Sequence, residues 1–197
     1  LEKVFSRIKK EEQDELRGIA NICAKAVLSR NLCFLATSQP DKPGYLSEDS
    51  PGLPRIFVYL RSREMADTIR SGDVVLATAP GEFVRVARVN GARIVGICMP
   101  CVPDCATESQ KKQFISKEGF GGDVRPIARS FLPSGDGLVS IPEANFGILP
   151  GSGPVELALM TALAGEVYRR SERSVRIEHL RPRDLMEYLN VAARRIR

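Results

Sequence analysis

The chain has 197 residues, 43% of them hydrophobic and 27% charged, which is ordinary for one compact globular domain. No apolar run approaches the roughly 20 residues that a membrane helix needs, so we expect no membrane span. The net charge of +5 comes from residues 169–197, which hold nine arginines and four acidic residues, so we predict a single domain over 1–197 with a basic C-terminal helical tail at about 171–197.

The cysteines and the beginning of the chain predict a cytoplasmic protein. Five cysteines cannot all pair within one chain, and none belongs to a dense disulfide framework. Residues Leu1–Phe5 lead into mixed charge rather than into the segments of a secretory signal. We therefore expect free thiols in a reducing compartment.

The first third of the chain predicts helices alternating with buried strands. Apolar residues from Leu16 to Val27 follow the three-and-four spacing of a helix with one buried face. Residues 32–37 and 56–60 are short apolar runs, typical of strands covered on both faces, and the residues between them are rich in proline and glycine. Met65–Arg70 can form one or two helical turns.

The middle of the chain predicts a βαβ unit. Val74–Ala77 form a third strand, Phe83–Val89 a short helix, and Arg93–Cys98 a fourth strand. Because the helix is short, the two strands are expected to be parallel neighbours joined by a right-handed crossover. The predicted fold class is α/β, a doubly wound and mainly parallel five-stranded sheet flanked by helices.

The remainder predicts one more strand and two helices. Residues 99–136 form a long excursion, and Leu138–Ile141 offer a short fifth strand. A long helix should begin at Pro154 and run to about Arg170, because proline suits the first helical position. The apolar stripe of a last helix consists of Leu185, Tyr188, Leu189, Ala192 and Ile196.

The βαβ unit resembles the centre of sugar isomerase (SIS) domains, and most of all their phosphoheptose-isomerase-like members. Those domains read Gly-Asp, an apolar strand, Ser-Asn-Ser-Gly-Glu-Ser, a helix, then Gly-Ala and a further strand. Gly72-Asp73, Gly81-Glu82 and Gly91-Ala92 match this pattern in residues 72–97. The resemblance implies a SIS-like, flavodoxin-like topology, phosphosugar binding and a homodimer or higher homo-oligomer.

Turns at the strand ends of such a sheet can present backbone amides and hydroxyls to a phosphate. The candidate substrate-binding residues are Thr37, Ser38, Thr78, Gly81, Ser152 and Gly153. The alternative is that they are ordinary turn and cap residues. Pro80 and Phe83 stand where the family has hydroxyl residues, and Pro80 has no backbone donor, which predicts weakened phosphate affinity.

An aldose-ketose isomerase needs a base, and usually an acid, to move a proton between adjacent carbons. Glu156 and His179 are the candidate catalytic residues. A position in the first turn of a helix explains the Glu156 carboxylate equally well. His179, the one histidine, can also be an ordinary surface or packing residue.

Two other kinds of site are weaker predictions. Cys98, Cys101 and Cys105 have a spacing known from zinc and iron-sulfur sites, but the set lacks a fourth ligand nearby, so we expect free thiols and no cofactor or metal. The arginine-rich tail permits nucleic-acid binding, yet the chain lacks tryptophan and a stacking platform. A solvated helix face is the preferred interpretation.

These observations leave two functional hypotheses. The first is a SIS-like protein that binds a phosphorylated sugar or a related small anion and acts as a sugar-phosphate isomerase. The second is a non-catalytic sensor of sugar phosphates, or a protein-interaction module, that keeps the fold after losing part of the phosphate loop. Pro80 and Phe83 favour the second hypothesis.

Overall fold

The fold is taken from a computed structural model of the chain. The residues that the structure describes are 2–36, 56–78, 81–98, 127–129, 137–141, 146–150 and 152–174. Three predicted site residues, Thr37, Ser38 and His179, lie outside these ranges, as do Pro80, Cys101, Cys105 and the predicted last helix.

The four predicted strands form the parallel sheet. They are β1 (Cys33–Ala36), β2 (Phe57–Tyr59), β3 (Val74–Ala77) and β4 (Arg93–Cys98). β1 pairs with both β2 and β3, and β3 pairs with β4, always in the parallel direction. The α/β class with a parallel sheet flanked by helices is therefore confirmed.

The predicted fifth strand has a different position. Residues Gly137–Ile141 do form a strand, β6, but it pairs antiparallel with β7 (Phe146–Pro150) in a separate two-stranded sheet. A three-residue strand within the predicted excursion, β5 (Ile127–Arg129), pairs parallel with the end of β4 instead. A short connection between β6 and β7 favours local pairing over a long return to the parallel sheet.

Within the described ranges, five helices accompany these strands. They are α1 (Glu2–Glu11), α2 (Gln13–Leu28), α3 (Arg63–Asp67), α4 (Glu82–Val89) and α5 (Ser152–Ser174). α1 was not predicted, since few of its ten residues are apolar. None of the helices in the described ranges is long and apolar enough to cross a membrane.

The helices cover both faces of the sheet. Alternate residues of β1 contribute to different core clusters, Cys33 and Leu35 to one and Phe34 and Ala36 to the other. The first cluster contains buried residues of α1, α2 and α5, whereas the second contains those of α3 and α4. The molecule is thus layered helix, sheet, helix, as the continuous apolar strands predict.

A buried carboxylate connects elements at the amino edge of the sheet. The Asp73 side chain is fully buried and accepts hydrogen bonds from the backbone amides of Leu32 at 2.9 Å and Arg70 at 2.8 Å. The preceding Gly72 has φ of +93°, a conformation that side chains with a Cβ rarely adopt. This pair therefore joins the entry of β1 to the entry of β3.

Gly91 ends α4 in a similar structural role. Its φ is +75°. The Gly91 amide donates to the Arg88 carbonyl oxygen at 3.0 Å, and the Ala92 amide donates to the Ala87 carbonyl oxygen at 2.9 Å. Such bonds satisfy the last carbonyls of a helix. Local backbone structure thus explains why Gly72-Asp73 and Gly91-Ala92, two of the three dipeptides that match the SIS pattern, occur at these positions.

Candidate functional site

The candidate site lies at the carboxyl edge of the sheet. Because β1, β2 and β3 are parallel, their carboxyl ends meet at this one edge. β1 lies between β2 and β3, so the chain adds strands first on one side of β1 and then on the other. In open α/β sheets this change of direction leaves a crevice where ligands bind.

Thr78 follows β3 directly and is held inside the edge. Its amide donates to the Ala36 carbonyl oxygen at 2.9 Å, which extends the β1–β3 ladder by one bond. The residue is only 2% exposed. A ligand that bonds to the Thr78 hydroxyl must therefore displace the groups that cover it.

Gly81 has open surroundings at this edge. It is the N-cap of α4, in extended conformation with φ of −179°, and it is exposed. A Cβ placed on Gly81 meets no atom within 4 Å. The first amides of a helix point outward at such an end, so this position can accept an anion from open space.

Sequence reasoning missed a basic segment that follows β2 at the same edge. Ser62 caps α3 by accepting a hydrogen bond from the Met65 amide at 3.3 Å. The Arg61 guanidinium lies 6.0 Å from the centre of the Tyr59 ring, and both Arg61 and Arg63 are exposed. The signal was available, since these residues directly follow a predicted strand.

Arg63 connects α3 to the start of α4. Its Nε donates to Asp67 Oδ1 at 3.1 Å, and its Nη1 donates to Glu82 Oε1. Hydrogen bonds to Asp67 and then to Glu82 raise the pKa of Arg63, so its positive charge is held at any ordinary pH. Both side chains of the Arg63–Glu82 pair are more than half exposed, which makes the pair weak and easily opened.

The other predicted residues lie on α5. Ser152 and Gly153 open this helix, and Glu156 is half-buried one turn further on, with its Oε1 atom buried. The neighbouring Val155 belongs to the first core cluster, whereas α4 packs in the second. Thr78 thus stands at the end of β3 and Gly81 at the start of α4, whereas the predicted residues of α5 lie on a helix of the opposite face.

The thiols that the structure describes are suited to packing. Cys23 and Cys33 are both fully buried and unpaired by disulfides, and the Cys33 thiol donates to the Cys23 carbonyl oxygen at 3.6 Å. Hydrogen bonding with Cys23, followed by burial, raises the pKa of Cys33 well above its ordinary value, which disfavours the reactive thiolate. Within the described ranges, no group of three potential metal ligands occurs.

The chemical groups at the described part of the carboxyl edge are suited to binding an anion. It offers the amino end of α4 beside Gly81, and two exposed arginines after β2. Proton transfer needs a positioned base, and Glu82 is engaged by Arg63. No family model matches the chain, and no curated protein matches it.

Proposed function

We propose that this chain binds a phosphorylated sugar, with the phosphate at the amino end of α4 and the sugar over the carboxyl ends of β1 and β3. The observation that carries the proposal is the open space around Gly81 at the start of α4, next to the change of direction between β1 and β3. Arg61 and Arg63 support it, because guanidinium groups favour phosphate.

The SIS-like, flavodoxin-like topology is part of this proposal. The strand order β2-β1-β3-β4-β5 supports it, since doubly wound sheets of the flavodoxin kind have this order. A single domain, a homodimer and a cytoplasmic location are likewise proposed, from the resemblance and because no disulfide joins Cys23 or Cys33, the two thiols whose surroundings the structure describes. Light scattering during size exclusion tests the dimer.

A charge placed at Gly81 tests the site. Gly81→Asp supplies a favoured N-cap, so the melting temperature should be unchanged or slightly raised. The same carboxylate accepts hydrogen bonds from the backbone amides of the first turn and repels an anion. Affinity for the sugar phosphate should therefore fall about tenfold or more. Gly81→Asn is the matched control, because it caps the helix without charge and should lose less affinity.

The binding experiment uses calorimetric titration of the full chain with inorganic phosphate and with a panel of aldose and ketose phosphates. A ligand that binds wild type and loses affinity in Gly81→Asp supports the proposal. Failure of wild type to bind any member of the panel would reject phosphosugar binding. Equal affinity in wild type and Gly81→Asp would move the site elsewhere.

Turnover separates the two functional hypotheses. An isomerase exchanges the proton on the carbon next to the carbonyl with deuterium from solvent, which NMR detects in the bound sugar phosphate. If Glu156 is the base, Glu156→Gln should abolish this exchange and keep binding. Binding without exchange in wild type supports the sensor, which Pro80, Phe83 and the buried Thr78 already favour.

A further inference from the structure

A cavity away from the carboxyl edge lies between α1, α2 and α5. Its volume is about 520 Å³, and none of the residues assigned above to the carboxyl edge lines it. The cavity opens to solvent, and its volume falls within the range of about 300 to 1,000 Å³ that is common for small-molecule pockets. A small ligand therefore fits this space.

The walls of the cavity are mainly apolar. Its deepest side chains, Ile8, Leu159 and Leu163, are 5%, 5% and 3% exposed and belong to the core. Phe5 and Leu16 also line it and are only partly buried. An apolar chain in this space would lose contact with water on several sides.

Basic side chains outnumber acidic ones around the cavity. Arg169 donates two hydrogen bonds to Glu166, at 2.7 and 2.5 Å, so these two charges offset each other. Lys9 and Arg17 remain as the excess positive charge of the lining. Asp14 accepts from Arg17 at 3.4 Å and is 96% exposed, so it competes weakly with another anion.

We propose that this cavity binds a small amphipathic anion, whose apolar chain packs on Ile8, Leu159 and Leu163 and whose carboxylate lies at Lys9 and Arg17. A second copy of the chain fits the site less well. The apolar residues at the mouth are few, whereas a stable interface buries about 800 Å² on each partner. The proposal is independent of phosphosugar binding, because the two sites share no residue.

Matched ligands test the charge part of the proposal. Decanoate, decanol and decylamine have the same chain and differ in charge, and each is titrated into the full-length protein below its micellar concentration. Decanoate should bind with one site per chain, about fivefold tighter than decanol, which is the scale of an exposed ion pair, and decylamine should bind weakest. Absence of decanoate binding, or equal affinity for decanoate and decanol, overturns the proposal.

A double substitution tests which residues bind the carboxylate of the ligand. Lys9→Gln combined with Arg17→Gln should bring decanoate affinity down to that of decanol and leave decanol affinity unchanged. Arg7→Gln is the matched control, because Arg7 lies on α1 outside the cavity and is paired with Glu11. An equal loss in Arg7→Gln would show a general charge effect and would reject the assignment.

A steric variant tests the location. Ala162 lines the cavity and is exposed, so Ala162→Phe should fill the mouth and abolish binding of both decanoate and decanol. Thr161→Phe places the same ring on the adjacent exposed position, outside the lining, and should bind as wild type. Ala158→Phe serves the same purpose if Ala162→Phe does not fold.

Two further outcomes would assign another occupant. A mass that doubles with concentration in wild type, and stays monomeric in Ala162→Phe, would mean that a second copy covers the cavity. Binding of decanoate that appears only after Leu185→Asp and Leu189→Asp would mean that the C-terminal tail fills it. Either outcome overturns the proposal of a small ligand.

Discussion

At the scale of single residues, the buried carboxylate of Asp73 connects two separate segments of the described core. Its two carboxylate oxygens accept backbone amides from residues 32 and 70, which lie far apart in sequence. A buried amide without its acceptor costs about 1 to 3 kcal/mol. The Gly72-Asp73 pair, which matches a family pattern, is therefore under strong structural constraint.

Asp73→Asn should lower the free energy of unfolding by about 2 to 3 kcal/mol, because an amide nitrogen would face one of the two backbone donors. Urea denaturation followed by circular dichroism measures the change. Asp14→Asn is the matched control, since the Asp14 side chain is 96% exposed, and should change stability by less than about 0.5 kcal/mol. Equal effects of the two substitutions would contradict the role of Asp73.

At the scale of elements, an ionic cluster joins α5 to α2. Glu166 accepts hydrogen bonds from Arg169 and from Arg170, whose guanidinium also donates to Asn21 on α2. The hydrogen bond from Arg169 is the main cause that lowers the pKa of Glu166 to about 2, and Arg170 adds to it. The ionised carboxylate therefore favours the folded state.

The sign of the pH effect follows from this lowered pKa. In the unfolded chain Glu166 titrates near 4.5, so its contribution is complete above that pH and is lost as the pH falls towards 2. Since Glu166 is 27% exposed and Arg169 is 43% exposed, solvent screening limits the contribution to about 1 kcal/mol. Glu166→Gln should therefore destabilise the protein at pH 7 and have only about a quarter of that effect at pH 2.5, where most of the contribution has been lost.

Chemical denaturation of wild type and Glu166→Gln at both pH values measures this difference. Glu11→Gln controls for the loss of a helix ion pair, since Glu11 is paired with Arg7 in α1 and exposed by 36%. The prediction fails if the stability difference between wild type and Glu166→Gln is the same at pH 7 and pH 2.5.

The same scale shows which elements were predictable. The strands β1 to β4 are continuous apolar runs, so burial on both faces identified them. α1 contains only Val4, Phe5 and Ile8 as large apolar residues, and β5 lies among proline and glycine. Long-range packing decides both elements, and a sequence window does not contain that information.

The sequence predicted part of the candidate site, as it predicted part of the fold. Thr78 and Gly81 follow a predicted strand, and the parallel direction of the sheet places them at its carboxyl edge. The position of Arg63 shortly after the predicted second strand was visible in the sequence, but its contact with Glu82 depends on how α3 packs against α4. The depth of Thr78 could not be predicted, since burial of a short polar side chain depends on neighbours distant in sequence.

At the scale of the whole molecule, the two buried thiols report global opening. Cys23 and Cys33 lie in the first core cluster, and burial together with a raised pKa suppresses thiolate formation at Cys33. Both thiols should react with a maleimide only as fast as the protein unfolds, whereas 6 M guanidinium should make both react at once.

Peptide mapping by mass spectrometry after timed labelling identifies which cysteine has reacted. Addition of a destabilising substitution such as Asp73→Asn should accelerate labelling of Cys23 and Cys33 by the same factor, since both depend on one opening reaction. Rapid labelling of either residue in native wild type would contradict the burial on which this prediction rests.

The two helical layers differ in the lengths of the helices that the structure describes. α3 and α4 have five and eight residues, whereas α1, α2 and α5 have ten, sixteen and 23. Short helices bury little area and open locally at low free energy. This layer also contains Gly81 and Arg63. A ligand bound there would therefore restrain the shortest helices of the described ranges, and binding would be detected as increased rigidity rather than as a change of shape.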